Sequence, residues 1–333
     1  MIDGSKPRVL SIPGIRGTNK YLQNWYSAAN VNVVFQCRHR ASEYKRTIFN
    51  PVWLIKHRNE FDAFHLHWQF QHLGVLRCLM IFVLCRLMRK KLVWTVHEVI
   101  PHDRRSTVRH MAVNILLSLM ASRVIVHNKY ILERYRRHFG SRRKVCMIEH
   151  PDYEIVAISQ SEAKNILQEK QFMYLYFGYL KRYKGIDQLI NNFDDRELEA
   201  VLYIVGQFPR LPGEEYQLCV TKNGITLKSG ECPEDMLDVY ISAADVVVLP
   251  YVVCETSGAL HRALQHGKVI VISSAIARTI ECCAANVIVY ERPSDLKAAL
   301  KKARTMITTN NIVPDIFNIY NIDYQNVVSK IYR

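Results

Sequence analysis

The feature that most constrains this chain is a repeated alternation of short β-branched segments with longer stretches of helical apolar spacing. The short segments of the first half cover residues 8–12, 31–35, 63–67, 92–96 and 123–126. Those of the second half cover residues 173–177, 200–205, 244–249, 269–272 and 287–289. Because strands that alternate with helices form parallel sheets covered by helices, the sequence predicts an α/β fold.

The length predicts two domains, since 333 residues exceed what one compact core usually holds. Around Pro151 the sequence becomes polar, and Ser159 and Glu162 indicate the start of a helix. We therefore predict a first Rossmann-like domain over residues 1–153 and a second over 154–310. In such sheets ligands bind at the carboxyl ends of strands, so the turns after each strand are where we expect functional residues.

The composition excludes several classes of protein. Hydrophobic residues make up 49% and charged residues 23%, which is typical of a globular chain and not of a disordered one. No stretch reaches the roughly 20 apolar residues of a membrane span. The nine cysteines show no CxxC spacing, so reduced thiols are expected and a structural zinc site is not. We expect a cytoplasmic protein.

The charge is distributed very unevenly along the chain. Residues 1–150 hold 26 Lys and Arg against 8 Asp and Glu, a net charge of +18, whereas the remainder carries −3 of the overall +15. Such a field predicts that the first half meets an anionic partner, which nucleic acid, an anionic membrane surface or a phosphate-bearing substrate would each satisfy. Aromatic residues are not interleaved with the basic runs, which argues against nucleic acid.

The first motif of the second half follows the segment that ends at Phe177. Gly178 allows a tight turn, and three cations, Lys181, Arg182 and Lys184, precede a helix that we expect to begin near Ile186. A lysine at such a turn can hold a diphosphate as a point charge. The alternative is a solvated basic loop.

The second motif follows residues 244–249. Pro250 and Tyr251 lead to a Glu255-Thr256-Ser257-Gly258 turn and then to a predicted helix. Thr256 or Ser257 would cap that helix, whose free amide groups favour an anion. Glu255 could accept hydrogen bonds from sugar or ribose hydroxyls. Paired with the Lys184 turn, this segment predicts a site for a sugar-linked diphosphate.

These residues resemble the GT-B glycosyltransferases, in particular glycosyltransferase family 4 and related enzymes of bacterial polysaccharide synthesis. Phe177-Gly178 through Lys184-Gly185 is similar to the family's FG-x-x-x-x-YKG turn, and Val205-Gly206 to its VG strand end. The segment from Pro250 to Ile270 is similar to its PY…E-x-SG…GKPVI pattern. The resemblance implies two Rossmann-like domains whose parallel sheets face each other across a cleft. It also implies that the tail, residues 311–333, forms a helix that crosses back to the first domain.

The resemblance implies a set of site residues. It places the donor at Gly178, Lys181, Arg182, Lys184, Gly206, Tyr251, Glu255, Thr256, Ser257 and Gly258. Two positions depart from the family pattern. Tyr179 stands where the family often has arginine, and the family's second glutamate, which commonly contacts the ribose, falls at Arg262 or Ala263.

Histidines follow several predicted strands of the first half. His97 resembles the family's TVH position near the transferred sugar, so we predict His97, Lys184 and Glu255 as the catalytic group. His127 and His150 end the next two strands in the same way. Candidates on the acceptor side are Gly14, Gly17, His67, Trp68, Glu98, Asp103, His127 and His150. His65 and His67 lack further metal ligands at a matching height, so a packed, hydrogen-bonded pair is the favoured interpretation.

An apolar stretch at residues 75–91, interrupted by Arg77 and Arg86, predicts a buried crossover helix that ends in a basic cluster. The basic run from Arg134 to Lys144, together with Arg104 and Arg105, could lie against anionic headgroups. We therefore expect peripheral contact with the inner face of the cell membrane and no membrane span.

The expected activity is transfer of a hexose from a nucleoside-diphosphate sugar, GDP-mannose or a UDP-sugar by analogy, to a saccharide hydroxyl. The expected acceptor is a polyprenyl-diphosphate-linked saccharide. No cofactor and no metal are expected, because no Asp-x-Asp element follows a strand. If configuration is retained, the leaving phosphate can take the proton; if it is inverted, Glu98 or Asp103 would be the base. The alternatives are a non-catalytic GT-B binding or assembly protein and a basic nucleic-acid-binding protein.

Overall fold

The structure is a computed structural model that describes residues 6–13, 20–34, 47–67, 74–100, 107–140, 144–207, 222–280, 285–309 and 324–332. The chain forms two compact units. Unit 1 comprises Met1–Pro151 with Tyr320–Arg333, and unit 2 comprises Asp152–Ile319. The predicted division lies two residues later, after residue 153.

Unit 1 contains one sheet of six parallel strands. Its strands are β1 Arg8–Ile12, β2 Asn32–Val33, β3 Ala63–Leu66, β4 Lys91–Val96, β5 Arg123–Val126 and β6 Val145–Met147. Between them lie α1 Lys20–Ala29, α2 Pro51–Lys56, α3 Val75–Leu87, α4 Thr107–Met120 and α5 Lys129–Phe139. The strand order is β2-β1-β3-β4-β5-β6.

Helices cover both faces of this sheet because side chains alternate along each strand. Leu10, Phe64 and Trp94 pack on one face in a cluster that takes in α3, α4 and α5. Their neighbours Val9 and Ala63 pack on the other face, against α1. Strands buried on both sides explain why the segments read as nearly continuous apolar runs.

Unit 2 contains the second six-stranded parallel sheet. Its first half consists of α6 Gln160–Leu167, β7 Phe172–Phe177, a 3₁₀ turn Arg182–Lys184, α7 Ile186–Asn192, α8 Asp195–Leu198, β8 Ala200–Gly206 and β9 Ile225–Ser229. Its second half consists of α9 Glu234–Ala243, β10 Val246–Leu249, α10 Gly258–Gln265, β11 Val269–Ser273, α11 Ser274–Ala277, β12 Val287–Tyr290, a 3₁₀ turn Pro293–Asp295 and α12 Leu296–Thr308. The order is β12-β11-β10-β7-β8-β9.

The strand order of unit 2 reverses between β7 and β10. The chain runs outward from β7 to β9 on one side and from β10 to β12 on the other. In a doubly wound sheet, this reversal opens a crevice at the carboxyl ends of the two central strands. The two motifs singled out in the sequence follow those two strands.

The last helix, α13 Tyr324–Ser329, packs against α1 and so belongs to unit 1. Val328, Ile331 and Tyr332 enter the core cluster on that face of the sheet. The first and the last described residues therefore belong to the same unit.

The ten predicted strand segments each overlap an observed strand, and the predicted α/β class is confirmed. The segment at 31–35 is reduced to a two-residue pairing with β1. β9 was missed, and β6, implied only by placing His150 at a strand end, ends three residues before that histidine. β6 has only three residues, and β9 ends in the exposed Lys228 and Ser229. Neither segment therefore presents the apolar run that predicts a buried strand.

Helix starts follow the predicted signals, whereas helix burial does not. The Ser159 hydroxyl accepts a hydrogen bond from the Glu162 amide at 3.3 Å and caps α6, and α7 begins at Ile186 as expected. The prediction that the helix at 75–91 is buried is wrong for one face. Cys78 and Phe82 are buried in α3, but Leu76 is 78% exposed.

Candidate functional site

The site in unit 2 forms where β7 and β10 end side by side. Gly178 follows β7, and Pro250 and Tyr251 follow β10. The two loops are joined because the Val252 amide donates a hydrogen bond to the Tyr183 carbonyl at 2.8 Å. The structure therefore brings the two predicted motifs together at the crevice that the sheet topology creates.

Lys184 is held at this crevice by Tyr251. Its Nζ donates a hydrogen bond to the Tyr251 hydroxyl at 2.9 Å and lies 4.3 Å from the centroid of the ring. Burial favours the neutral amine, but the contacts with Tyr251 and with Tyr183 outweigh it and raise the pKa of Lys184 above its ordinary value. A fixed positive charge therefore stands at the strand ends at neutral pH.

Glycines let three loops meet around that charge. A Cβ at Gly206, which ends β8, would lie 1.8 Å from the Gly178 carbonyl oxygen. A Cβ at Gly185 would lie 2.0 Å from the Pro250 oxygen, and Gly185 also has a left-handed φ of +66°. A Cβ at Gly178 would come within 3.6 Å of the Lys184 Nζ. Only glycine allows the backbones at positions 185 and 206 to pack this closely, whereas the contact at Gly178 is an ordinary one.

The Glu255–Gly258 turn leads into α10 beside the same strand end. The Ser257 hydroxyl accepts a hydrogen bond from the Leu260 amide at 3.2 Å and so caps the helix. Glu255 is buried, with 3% of its surface exposed. The buried Thr256 hydroxyl has no hydrogen-bond partner within the described part of the chain. An unsatisfied buried hydroxyl next to a helix N-terminus is suited to a ligand oxygen.

The other two cations of the first motif point to solvent. Lys181 and Arg182 are exposed, and the Lys181 Nζ lies 5.9 Å and 5.8 Å from the rings of Tyr179 and Tyr183. Tyr179, at the position where the family often has arginine, is 58% exposed. Of the three cations, the structure anchors only Lys184 to Tyr251.

Arg262 does not line the crevice but pairs with α9. Its guanidinium donates to Asp238 at 2.7 Å and to the Glu234 carboxylate, and it lies 5.5 Å from the Tyr153 ring. Ala263 is part of the hydrophobic core. Neither residue supplies the carboxylate that the family pattern has on this helix.

Unit 1 gathers four of its histidines around Tyr21 of α1. The ring centroid of Tyr21 lies 5.5 Å from His67, 5.1 Å from His97, 5.5 Å from His127 and 4.9 Å from His150. These histidines directly follow β3, β4 and β5 or lie three residues beyond β6, so the sheet brings them to one edge. Tyr21 was missed in the sequence because nothing but the packing of α1 aligns it with the strand ends.

Burial keeps the imidazoles of His67, His97 and His127 neutral. It lowers the pKa of His67 and His97 well below the ordinary value, with a further contribution from neighbouring histidines, and it lowers the pKa of His127 to about 4. The His127 Nε2 lies 2.9 Å from the Tyr21 hydroxyl. At neutral pH, His97 can therefore share a hydrogen bond but does not carry a charge.

His65 and His67 form the packed pair that was favoured over a metal site. Their rings lie 3.9 Å apart, and the Tyr26 hydroxyl is 2.8 Å from the His67 Nε2. Among the described residues, no group of three or more His, Cys, Asp or Glu side chains is arranged to hold a metal ion. Glu98 is half-buried next to His97. Gly14, Gly17, Trp68 and Asp103, with Arg104 and Arg105, lie outside the described residues.

Comparisons with known proteins agree with this fold. Residues 171–307, all within unit 2, match the family model described as "Glycosyl transferases group 1". No curated protein matches the sequence.

Solved structures match over both units. HepE from Anabaena, solved with UDP and glucose, is similar over 98% of this chain and 95% of its own, with a TM-score of 0.71 and 14% identity. The lipopolysaccharide glycosyltransferase WaaG matches over 97% and 99% with a TM-score of 0.65 and 14% identity. A glycosyltransferase from Rickettsia africae matches over 99% and 93% with a TM-score of 0.67 and 9% identity. The chain has the GT-B fold, and the predicted resemblance is confirmed.

Proposed function

We propose that this GT-B chain is a glycosyltransferase that moves a hexose from a nucleoside-diphosphate sugar to a hydroxyl of a lipid-linked or growing saccharide. The observation that carries the proposal is the anchored ammonium of Lys184 at the reversal point of the unit 2 sheet, beside the capped N-terminus of α10. The family match over residues 171–307 supports the same reaction class.

The reaction needs a stabilised leaving group. The bond between the sugar's anomeric carbon and the diphosphate oxygen breaks while the acceptor oxygen bonds to that carbon, so negative charge grows on the diphosphate. Lys184 and the free amides of α10 are placed to bind that charge. Gly178 and Gly206 let the ends of β7 and β8 pack together beside Lys184, and Thr256 offers its hydroxyl.

Glu255 is proposed to hold sugar or ribose hydroxyls, and neutral His97 to hydrogen-bond the sugar or the acceptor. In a retaining reaction, the acceptor proton passes to the leaving phosphate. In an inverting reaction a carboxylate takes it, for which Glu98 and Asp103 remain the candidates.

The donor is proposed to be a UDP-sugar, with GDP-mannose as the second candidate. The order follows the HepE structures, which were solved with UDP and with UDP-glucose. The acceptor is proposed to be a polyprenyl-diphosphate-linked saccharide at the inner face of the cell membrane, because the net charge of +18 lies within residues 1–150.

A thermal-shift screen with UDP, GDP and their sugars tests the donor. A ligand at 100 times its Kd stabilises a protein by about 2.7 kcal/mol, so the preferred nucleotide will stand out. Release of nucleoside diphosphate is then measured for the wild type, for Lys184→Ala and for Lys170→Ala. Lys170 is an exposed lysine that precedes β7 and therefore lies at the opposite end of the strand.

We expect Lys170→Ala to retain turnover and Lys184→Ala to lose it by at least about tenfold. Equal turnover in both variants would contradict the proposal. The second candidate is a GT-B protein that binds a nucleotide sugar without transfer, and Arg262, at the place of the family's second glutamate, favours it. Donor binding without turnover on any saccharide acceptor would support that candidate.

A further inference from the structure

Helix α3 carries an apolar stripe on its outer face. Leu76, Met80, Val83 and Leu87 are exposed, and Leu76 and Leu87 keep 78% and 74% of their surface. Their spacing of four, three and four residues places them along one side of a helix. The opposite side packs Cys78, Ile81, Phe82 and Cys85 into the core. α3 is thus apolar on both sides, although only one side is covered.

Helix α4 repeats the arrangement next to α3. Val108, Ile115 and Leu119 are exposed, and Val108 keeps 83% of its surface. α3 and α4 pack against each other, and both send residues into the core cluster on the same face of the sheet. Their outer stripes therefore face away from the sheet together. We name these seven exposed residues of α3 and α4 the α3–α4 surface.

The α3–α4 surface has a cationic border and no acidic residue on either helix. Arg77 and Arg86 lie about 90° to either side of the α3 stripe, at about 100° per residue. The Lys144 Nζ donates a hydrogen bond to the carbonyl of Leu119 at 3.0 Å, which brings a further cation to the end of α4. α5, which packs on the same face of the sheet, exposes Arg136 and Arg137.

We propose that the α3–α4 surface docks this protein onto an anionic lipid bilayer, with the apolar stripes in the headgroup boundary and the cations on the phosphates. The inference deepens the proposed function and rests on it for the lipid-linked acceptor. Long cationic side chains at the edge of an apolar face suit a bilayer surface, because lipid chains bury the apolar face while anionic headgroups bind the cations.

The length of the helices fits docking on the bilayer surface. α3 has 13 residues and spans about 20 Å, less than the roughly 30 Å of a hydrocarbon core. No helix among the described residues meets the length and hydropathy of a membrane span. A second copy of the chain is a poor occupant, because a symmetric contact would bring the cationic borders of both copies together.

Flotation with lipid vesicles tests the proposal on the full chain. The vesicles are phosphatidylcholine alone or phosphatidylcholine with about one third phosphatidylglycerol. The stripe variant is Leu76→Ser with Leu87→Ser. Its control is Ile166→Ser, which removes an exposed side chain of α6 in unit 2. Arg136→Gln with Arg137→Gln tests the charges.

We expect the wild type and Ile166→Ser to bind only the anionic vesicles. The stripe variant should bind at least about tenfold more weakly, since it loses two leucines that the lipid would bury. The charge variant should bind more weakly at low salt and converge with the wild type at high salt.

Three results would overturn the proposal: no binding of the wild type, equal binding by the stripe variant, or a dimer that the stripe variant abolishes. Thermal shift with UDP separates this inference from the proposed function. A stripe variant that still binds the nucleotide but not the vesicle confirms the surface alone. Vesicle binding by a wild type that binds no nucleotide would contradict the proposed function and leave the surface standing.

Discussion

The two units build similar parallel sheets but bury their ionisable groups in opposite ways. Unit 1 fills the carboxyl edge of its sheet with imidazoles that burial keeps neutral, such as His97 and His127. In unit 2, Lys184 keeps a positive charge at the carboxyl edge of the sheet. Buried charges elsewhere in this unit are paired, as Arg262 is with Asp238. Similar topologies thus produce one edge suited to hydrogen bonding and one suited to binding an anion.

The difference follows from what surrounds each edge. In unit 1, α1 brings Tyr21 and Tyr26 onto the strand ends, where their rings pack against the histidine rings. In unit 2, glycines at positions 178, 185 and 206 remove side chains where the loops meet. Aromatic packing excludes charge, whereas a single ammonium beside a helix N-terminus favours a diphosphate.

Acid should break unit 1 first, and this is the largest effect expected. Burial holds the pKa of His65, His67 and His97 well below the ordinary value and that of His127 at about 4. The unfolded chain therefore binds more protons below about pH 6.5. Above that pH, these histidines do not change the free energy of unfolding of unit 1. As the pH falls towards 4, that free energy decreases by about 1.4 kcal/mol per pH unit for each histidine.

Tryptophan fluorescence can follow this loss in unit 1 alone, because all four tryptophans, at positions 25, 53, 68 and 94, belong to it. Urea unfolding at pH 7.5, 6.5 and 5.5 should show a midpoint that is stable down to about pH 6.5 and then falls steeply. A midpoint that does not change between pH 6.5 and 5.5 would show that the imidazoles are not buried as described.

Removing a paired charge should destabilise unit 2 strongly. Arg262→Met leaves Asp238 buried without its guanidinium, which should cost about 3 kcal/mol in the free energy of unfolding. Arg292→Met breaks the exposed pair with Asp295 and should change the stability much less, because solvent screens this pair. Chemical unfolding monitored by circular dichroism compares the two. Equal costs would mean that the Arg262 pair is no more buried than the surface pair.

A matched pair of glycines separates backbone strain from close packing. Gly185 and Gly267 have nearly the same φ, +66° and +63°, but only Gly185 would place a Cβ against Pro250. Gly267→Ala should cost about 1 kcal/mol, and Gly185→Ala about 1–3 kcal/mol more as well as nucleotide affinity. Thermal melting and UDP binding measure both. Similar losses in the two variants would remove the argument for close loop packing at the site.

The smallest effect on a buried contact should come from the tail. The Tyr332 hydroxyl accepts a hydrogen bond from the Trp25 indole at 2.9 Å and lies 2.5 Å from the His65 Nδ1. Tyr332→Phe should lower the stability of unit 1 by about 1 kcal/mol. Tryptophan fluorescence during unfolding detects it, and an unchanged midpoint would show that the tail does not stabilise this edge.

Much of the fold could be predicted from sequence, because each buried parallel strand leaves a nearly continuous apolar run. The two motifs that meet at the ends of β7 and β10 could also be predicted, since Gly178 and Ser257 are tied to local turn and cap geometry. The residues that each motif contacts in the folded chain could not be predicted. The contact of Lys184 with Tyr251 joins residues 67 positions apart, and no local pattern reports that distance.

The same limit explains the wrong expectation for α3 and the position of Arg262. An apolar helix shows in its sequence that it can be buried, but not which side is covered. Arg262 stands at a position where a ribose contact was expected, and its partners Glu234 and Asp238 lie on α9, 28 and 24 residues earlier in the chain. Tertiary packing decided both outcomes.

The affinity of UDP for Lys184→Met, measured by isothermal titration calorimetry, tests the central claim most directly. The control is Lys170→Met, which removes an exposed lysine before β7. If the ammonium at the strand ends binds the diphosphate, Lys184→Met should bind about 10- to 100-fold more weakly while Lys170→Met binds as the wild type does. Equal affinities in the wild type and both variants would contradict the claim that the unit 2 edge is the diphosphate site.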